Sequence, residues 1–524
     1  MKRFLTTGLF ALLIATTGTA LAEAPTKDAP PATDAKSDPK SDPKAAIVAE
    51  QSVTQHRYAI GATKFDYAAT AGTAIIRDDD EKPIASMSYV AYTRSDVKDS
   101  TRRPIVFAFN GGPGSSSVWL HMGVLGPKRV VAVDGGPTPP APYNVVDNAY
   151  GVLDHADLVM IDPVGTGISK AVGDKKDEDF WAVDPDIDSV SRFIAQYVSD
   201  HHRWNSPKYI LGESYGTTRA AGVVDYLQSR RAMAFNGVVL VSVALDPEAI
   251  FAEIPGNDRP YSLFLPAFAI TALHHGVLPG TPPARDALIA EAKAYAAGPY
   301  SAALNKGDSL PTAERDAVAA RLHELTGLSV EYLKAANLRV SENMFAHELL
   351  KGSRKTIGRL DSRFAGTTMD PLVKLAEYDP QSSAISSAYA SAFNDYYHEE
   401  LKFGAGKTYR PLNGAVFPKW RWNHMVGDGN QPNVNTGVDL ANALVINPGL
   451  RVLVISGYYD LATPFSATEY MIDHLGLPPG YREHVTLKYY DAGHMMYVNP
   501  AALAQMKRDL DAFFDTTSGL PNRP

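Results

Sequence analysis

The sequence predicts an α/β fold in which a mostly parallel central sheet is flanked by helices and interrupted by a helical insertion. Short runs of continuous apolar residues, typical of strands buried on both faces, recur along the chain, and each ends in a glycine- or proline-rich loop. Segments with helical patterns lie between these runs. A long helix-rich stretch separates the earlier runs from the later ones, and sheet-like runs resume after it.

Six apolar runs predict strands of the sheet. They are Ile105 to Phe109, Leu158 to Ile161, Tyr209 to Leu211, Val238 to Val243, Val452 to Ile455 and Val485 to Tyr489. Before them, alternating apolar and polar residues between Gln55 and Ser95 predict a β-meander. Because ligands bind beyond the carboxyl ends of the strands in parallel sheets, we expect the chemistry in the loops that follow the six runs.

The predicted domain organisation follows from these patterns. Residues 47–246 form the first part of the sheet domain, and residues 431–518 form the second part. Between them, residues 247–430 are a helical insertion that could cover the active site, with a separate binding domain as the alternative. Its helix-like segments are Ala284 to Ala297, Thr312 to Leu325, Val330 to Asn337 and Ser383 to Leu401.

The N-terminus has the features of a secretory signal peptide over residues 1–22. Lys2 and Arg3 precede an apolar stretch, and Ala20-Leu21-Ala22 matches a cleavage site. A membrane anchor is the alternative, but the stretch is short and interrupted by threonine and glycine. Residues 23–46 are rich in proline and charge and predict a disordered linker. We expect a bacterial protein that is exported to the periplasm or the medium.

The composition excludes several classes of partner. The 524 residues carry a formal charge of −8, which favours neither nucleic acid nor an anionic membrane. No segment after the signal is apolar enough to cross a membrane. There is no cysteine, so no disulfide can form. No nucleotide-binding glycine motif and no zinc-ligand spacing is present, so we expect neither cofactor nor metal. The sequence leaves the oligomeric state open.

Gly212-Glu213-Ser214-Tyr215-Gly216 follows one of the predicted strands and precedes a predicted helix, Thr217 to Leu227. This G-x-S-x-G pattern allows the sharp turn that exposes a nucleophilic serine, here Ser214. The alternative is an ordinary turn serine.

Three further loops complete a catalytic site. Asn110 to Ser117 follows the first apolar run, and its glycines could direct backbone N–H groups at a ligand, as an oxyanion hole requires. Asp460 and His494 lie in the loops after the last two runs. The chain order Ser214, Asp460, His494 is that of the α/β-hydrolases. His121 and His424 could also line the cleft, and Asp491 is an alternative to Asp460.

These segments resemble the serine carboxypeptidase family, to which carboxypeptidase Y belongs. Asn110 to Ser117 is similar to the family's N-G-G-P-G-C-S-S motif. The other similar segments, in the same chain order, are Asp162 to Ser169, Gly212 to Gly216, Ser456 to Asp460 and Ala492 to His494. The resemblance covers roughly Pro104 to Leu245 and Leu450 to Phe514.

The resemblance implies a role for each matching residue. Ser214, Asp460 and His494 correspond to the catalytic triad, and the N–H groups of Gly112 and Tyr215 to the oxyanion hole. Asn110, Gly111 and Glu213 correspond to the groups that hold the C-terminal carboxylate of the substrate. Glu213 can donate to a carboxylate only while protonated, so its pKa must be raised well above about 4.3.

The chain departs from the family at several of these positions. Val124 stands where the family has a glutamate that shares a proton with the elbow glutamate. Ser115 replaces the motif cysteine, Phe109 replaces a tryptophan, and Tyr458 stands where an acidic residue is common. Burial alone is then left to raise the pKa of Glu213.

The resemblance implies a serine carboxypeptidase that releases C-terminal amino acids from peptides through an acyl-enzyme. Another α/β-hydrolase is the alternative: an aminopeptidase of the proline iminopeptidase type, an esterase or an acyltransferase. A non-catalytic binding protein on the same scaffold is a further one. An apolar pocket could include Tyr458, Tyr459, Met495, Met496 and Tyr497, although such residues are often core.

Overall fold

The computed structural model describes residues 47–60, 63–252 and 254–520. The predicted signal peptide and linker lie outside these ranges. The strands in them are β1 (Gln51–Ile60), β2 (Thr63–Arg77), β3 (Pro83–Arg94), β4 (Ile105–Phe109), β5 (Lys128–Val130), β6 (Val145–Asp147), β7 (Asp157–Ile161), β8 (Lys170–Ala171), β9 (Lys208–Glu213), β10 (Gly237–Val241), β11 (Lys355–Ile357), β12 (Ala365–Thr367), β13 (His424–Val426), β14 (Gly429–Gln431), β15 (Arg451–Gly457) and β16 (Val485–Tyr490).

The α-helices in the same ranges are α1 (Val118–Leu120), α2 (Val183–Asp200), α3 (Tyr215–Arg231), α4 (Arg259–His274), α5 (Arg285–Tyr295), α6 (Ser301–Leu304), α7 (Thr312–Thr326), α8 (Val330–Ala335), α9 (Glu342–Glu348), α10 (Pro380–Asp395), α11 (Gly437–Ile446), α12 (Phe465–Asp473) and α13 (Pro500–Thr517). Within the described part of the chain, no helix combines the length and hydrophobicity needed to cross a bilayer.

A ten-stranded sheet has the order β1-β2-β3-β7-β4-β9-β10-β15-β16, with β8 also paired to β3. The pairs from β1 to β7 are antiparallel, which agrees with the predicted meander. From β7 to β16 every pair is parallel. The predicted fold class is therefore confirmed. The carboxyl ends of β4, β9, β15 and β16 lie on one edge, as parallel pairing requires.

Both faces of the sheet are buried, because alternate residues of each strand face opposite cores. In β4, Phe107 packs in one core with α2, α3 and α11. Its neighbours Val106 and Ala108 pack in the other core with α10 and α13. This double burial accounts for the unbroken apolar runs that identified the strands in the sequence.

The insertion is mostly helical, as predicted, but it also contains short strands that its sequence did not indicate. β11 pairs with β12, and β13 pairs with β14, in hairpins of three-residue strands. Such short strands contain too few residues to show a periodic pattern. Helices α4, α5, α7, α8 and α9 share a third core with Leu461 and Phe465, which follow β15. From Ile47 onward the chain forms one compact unit, so the insertion's bounds at 247 and 430 stay a prediction.

Candidate active site

Ser214 lies in the turn between β9 and α3, where its backbone has φ 61° and ψ −131°. A positive φ is strained for a residue with a Cβ atom, and such strain is found at nucleophile elbows. The glycines on either side allow the turn. A Cβ on Gly212 would lie 2.0 Å from the carbonyl oxygen of Gly216. The N–H of Ser214 donates to the carbonyl of Val241 at 2.9 Å, which anchors the turn to β10.

The glycine-rich loop after β4 packs directly on this elbow. A Cβ on Gly111 would lie 2.5 Å from the backbone nitrogen of Tyr215. Gly112 has a φ of +102° and is exposed, so only a glycine fits there without strain. Gly112 and Tyr215 both line the cavity that contains Ser214. The two N–H groups assigned to the oxyanion hole therefore belong to residues beside the elbow serine.

His494 and Asp460 are in direct contact. The Nδ1 atom of His494 lies 2.8 Å from Oδ2 of Asp460. The carboxylate is fully buried and also accepts hydrogen bonds from the N–H groups of Ala462 (2.7 Å) and Thr463 (2.9 Å). These bonds fix the carboxylate, which in turn orients the imidazole. The loops that carry the two side chains are tightly packed, because a Cβ on Gly457 would lie 2.2 Å from the carbonyl oxygen of Gly493.

The pKa of His494 is raised above its usual 6.5. Burial on its own would lower it, but the charge and hydrogen bond of Asp460, together with the charge of Glu213, outweigh burial. The positive charge of Arg359 acts in the lowering direction. Such a histidine can accept the proton of a serine, since the imidazolium that forms is stabilised by the adjacent carboxylate.

The three residues predicted to hold a carboxylate are enclosed by protein. Oε1 of Glu213 accepts a hydrogen bond from Nδ2 of Asn110 at 2.7 Å, and Oδ1 of Asn110 accepts one from the N–H of Leu120 at 3.0 Å. Asn110 is 1% exposed and Glu213 is 4% exposed. Asn110, Gly111 and Glu213 are not among the described residues that line the cavity containing Ser214.

Burial raises the pKa of Glu213 to about 7, although the charge of His494, the Tyr497 hydroxyl and the Asn110 amide act in the opposite direction. Burial is thus the dominant cause, as the sequence indicated. Val124 is a fully buried apolar residue, and Tyr497 is the titratable neighbour that the sequence did not reveal. The ring of Tyr497 occupies the space beside Gly123, where a Cβ would lie 2.4 Å from Cδ2.

The cavity that contains Ser214 and His494 has a volume of about 700 Å³. One wall is apolar and combines the residue after the serine with residues of the insertion: Tyr215, Ile250, Phe251, Ile254, Phe417 and Trp422. Glu342, Asn343 and Arg359 add polar groups from the same insertion. Sequence reasoning found none of these insertion residues, because no local pattern connects them to the loops of the sheet.

Other candidates from the sequence lie away from this cavity. His121 is buried, and its Nε2 lies 2.6 Å from the Tyr92 hydroxyl. His424 lies between Asp184 (2.5 Å) and Asp439 (3.0 Å). Burial would lower the pKa of His424, but the two carboxylates raise it to about 9. The suggestion that either histidine lines the cleft is therefore wrong, since each is held by partners elsewhere.

The remaining alternatives are also placed elsewhere. Asp491 forms an ion pair with Arg285 and is exposed. Of the residues suggested for an apolar pocket, Met495, Met496 and Tyr497 are buried core residues, and Tyr458 and Tyr459 pack against the third core. One group within the described ranges, Asp154, His155 and Asp511, brings three ligand atoms within 4.8 Å of one another. The Lys507 ammonium donates to both of its carboxylates at 2.6 Å.

Comparisons with known proteins agree with the motifs. Residues 78–249 match the family model Peptidase_S10, serine carboxypeptidase. This range contains Asn110 to Ser117 and Ser214 but neither Asp460 nor His494. No curated protein matches the sequence.

Among solved structures, the chain is similar to Kex1Δp, a prohormone-processing carboxypeptidase from Saccharomyces cerevisiae. The TM-score is 0.55 at 15% identity, over 85% of this chain and 91% of that one. It also matches a proline iminopeptidase from Mycobacterium smegmatis (TM-score 0.35, 14% identity, 84% of this chain and 98% of that one). A third match is the peroxisomal α/β-hydrolase Lpx1 from Saccharomyces cerevisiae (TM-score 0.35, 10% identity, 91% and 92%). The chain therefore has the α/β-hydrolase fold, and its residues 78–249 are similar to the serine carboxypeptidase family.

Proposed function

We propose that the protein is a serine carboxypeptidase that releases C-terminal amino acids from peptides through an acyl-enzyme on Ser214. One observation carries the proposal. Ser214, in the strained elbow, lines the same cavity as His494, and Nδ1 of His494 is hydrogen-bonded to the buried Asp460. No other histidine of the described residues lines that cavity. The family match and the shared fold with a carboxypeptidase support the reaction type.

In the proposed mechanism, Ser214 attacks the carbonyl carbon of the last peptide bond while His494 takes the hydroxyl proton. Asp460 stabilises the imidazolium that results. The N–H groups of Gly112 and Tyr215 donate to the oxyanion of the tetrahedral intermediate. His494 then gives its proton to the leaving amine, and the C–N bond breaks. Water hydrolyses the ester by the same steps, and Ser214 regains its proton.

The roles of Asn110, Gly111 and Glu213 in holding the terminal carboxylate remain part of this proposal. Glu213 is suited to donate to a carboxylate at acidic pH, because burial raises its pKa to about 7. Its Oε2 atom is buried and meets no hydrogen-bond distance criterion within the described residues, and the Tyr497 hydroxyl is its titratable neighbour. Above neutral pH Glu213 is ionised and repels a second carboxylate, so binding of this kind weakens as the pH rises.

The test compares Ser214→Ala with the wild-type protein on two peptides, one blocked at the N-terminus and one amidated at the C-terminus. We expect the wild type to cleave only the first, with a loss of about 10⁶ in kcat for Ser214→Ala. The exposed Ser353→Ala is the matched control and should retain full activity. Cleavage of the amidated peptide alone would instead favour an aminopeptidase of the proline iminopeptidase type.

Esterase and binding-protein alternatives are tested in the same samples. An esterase or acyltransferase would turn over neutral esters and neither peptide. A binding protein would not react at Ser214 with a fluorophosphonate, although it is folded. We expect labelling of the wild type at Ser214 and none of Ser214→Ala.

We also infer that the chain is exported, with cleavage after Ala22. The sequence of residues 1–22 supports this inference, and a bacterial origin with a periplasmic destination follows from the same segment. Sequencing the N-terminus of the mature protein tests it. Glu23 is the expected first residue, and an intact Met1 would contradict the inference.

A further inference from the structure

Arg359 introduces a positive charge into the catalytic cavity from the insertion. It lies between β11 and β12, is half-buried, and lines the same cavity as Ser214 and His494. Its charge also reaches the catalytic histidine, since it lowers the pKa of His494 against the raising effect of Asp460. Arg359 thus lines the space beside Ser214 and His494 that a bound substrate would enter.

The backbone around Arg359 is fixed against the two catalytic loops. Its N–H donates to Oδ2 of Asp379 at 2.7 Å, and its carbonyl accepts from the N–H of Leu461 at 2.9 Å. The carbonyl of the next residue, Leu360, accepts from the N–H of His494 at 2.6 Å. The position of Arg359 is therefore set by the same loops that carry Asp460 and His494.

The guanidinium of Arg359 has no hydrogen bond or ion pair to any side chain within the described ranges, whereas neighbouring arginines of the insertion are paired. Arg363 contacts Asp361 at 2.6 Å and Asp134 at 2.8 Å, and Arg339 contacts Asp258 at 2.6 Å. A partly buried charge without a partner loses hydration and gains no compensating bond. An anionic group that enters the cavity would supply that bond.

The groups expected to bind a carboxylate do not occupy this wall. Asn110 and Glu213 are bonded to each other and enclosed, and Tyr497 packs beside them. A carboxylate in the part of the cavity outside the enclosed pair therefore meets Arg359. Arginine is also the side chain whose planar group matches a carboxylate with two parallel hydrogen bonds.

We propose that Arg359 binds a carboxylate of the peptide substrate next to the scissile bond, so that the enzyme selects anionic peptides through the insertion. This inference rests on the proposed peptidase function. The carboxylate has two possible sources, the free C-terminus of the peptide or an acidic side chain beside the bond that is cleaved. Both present the same group to the guanidinium.

The test compares Arg359→Gln and Arg359→Lys with the wild type on four N-blocked dipeptides. Benzyloxycarbonyl-Phe-Leu and its amide differ only in the terminal carboxylate. Benzyloxycarbonyl-Glu-Leu amide and benzyloxycarbonyl-Gln-Leu amide differ only in an acidic side chain. Affinities for all four are measured by calorimetry in the Ser214→Ala background, which cannot turn the peptides over. With Ser214 present, kcat/KM is measured on benzyloxycarbonyl-Phe-Leu, the member with a free C-terminus.

We expect Arg359→Gln to weaken the binding of the anionic peptide in one of the two pairs by about 10- to 100-fold, the range for a charge-assisted hydrogen bond. The neutral member should change little, and Arg359→Lys should recover part of the affinity. The pair that responds identifies the source of the carboxylate. In the kinetic measurement, Arg359→Gln should mainly raise KM and leave kcat nearly unchanged. The contact stabilises the bound ground state and the transition state equally.

The controls separate this inference from the peptidase proposal. Arg410→Gln removes an exposed arginine outside the cavity and should leave all four affinities unchanged. Labelling of Ser214 by a fluorophosphonate should be the same in wild type and Arg359→Gln, which shows an intact site. Equal binding of the anionic and neutral members, or an equal loss on both in Arg359→Gln, would overturn the inference. A wild type that binds anionic peptides without cleaving any would refute only the peptidase proposal.

Discussion

The edge of the sheet and the helical insertion both line the cavity that contains Ser214 and His494, but they are held in place differently. At the edge, main chain packs on main chain: a Cβ added to Gly111, Gly212 or Gly457 would lie 2.0 to 2.5 Å from a backbone atom of a neighbouring loop. The insertion lines the cavity mainly with side chains, one of which, Phe417, is 49% exposed, although its main chain at Leu360 also accepts a hydrogen bond from the N–H of His494. The edge therefore tolerates no change of geometry, whereas the insertion can change its side chains and keep the catalytic groups in place.

This difference predicts that substitutions at the edge remove catalysis, whereas substitutions in the insertion alter the choice of substrate.

Asp460→Asn should lower kcat by about 10⁴, because the asparagine neither stabilises the imidazolium nor holds the correct tautomer of His494. Steady-state kinetics on an N-blocked dipeptide measure the loss. Asp491→Asn is the matched control, since Asp491 is three residues from His494 but pairs with Arg285. Similar losses in the two variants would mean that Asp460 is not the catalytic carboxylate.

Gly111→Ala should lower kcat by about 10²–10³, the usual effect of losing one oxyanion donor. The new Cβ would lie 2.5 Å from the nitrogen of Tyr215 and push the glycine loop away from the elbow. Gly136→Ala makes the same change where the nearest atom is a Val133 methyl carbon at 3.8 Å. Hydrolysis of a neutral ester, measured for both variants, isolates the oxyanion hole from carboxylate binding. Full ester activity in Gly111→Ala would place the oxyanion donors elsewhere.

Glu213→Gln should change the pH dependence of folding stability. Burial raises the pKa of Glu213 from 4.5 to about 7, so ionisation opposes folding as the pH rises through that window. Below it the carboxyl is protonated in both states, and the penalty is absent. The variant should therefore gain about 3 kcal/mol of unfolding free energy relative to wild type between about pH 4 and about pH 8.

Urea unfolding at several pH values measures this difference. The exposed Glu483→Gln is the control and should follow the wild-type curve. The difference in unfolding free energy between Glu213→Gln and the wild type could instead stay constant from about pH 4 to about pH 8. Glu213 would then not titrate in the folded protein as its burial implies.

Trp422→Ala should change specificity while leaving the chemistry of the site intact. The indole packs against the rings of Tyr215, Phe251 and Phe417 in the apolar wall. We expect kcat/KM to fall by about 10- to 100-fold for peptides with an aromatic residue beside the scissile bond, and little for those with alanine. Trp204, 47% exposed and outside the cavity, gives the control Trp204→Ala. A uniform loss on both peptides would show that the insertion supports catalysis itself.

Much of the sheet edge could be predicted from the sequence. The apolar run Ile105 to Phe109 has the bounds of β4, and the loops with Ser214, Asp460 and His494 follow β9, β15 and β16. The parallel order of these strands then brings the loops to one edge. The short strands β11 to β14 could not be predicted, because three residues are too few for a periodic pattern.

The requirements of the backbone can be read in the sequence: which turns need glycine, where a buried strand ends, and in what order serine, aspartate and histidine appear. A few adjacent residues are enough to show each of these requirements, because they are local. The folded chain adds what no local pattern contains: Tyr497 lies beside Glu213, His424 is held by two carboxylates, and Arg359 and Trp422 line the cavity. Those contacts join residues far apart in the chain, and burial and charge depend on everything that packs around a group.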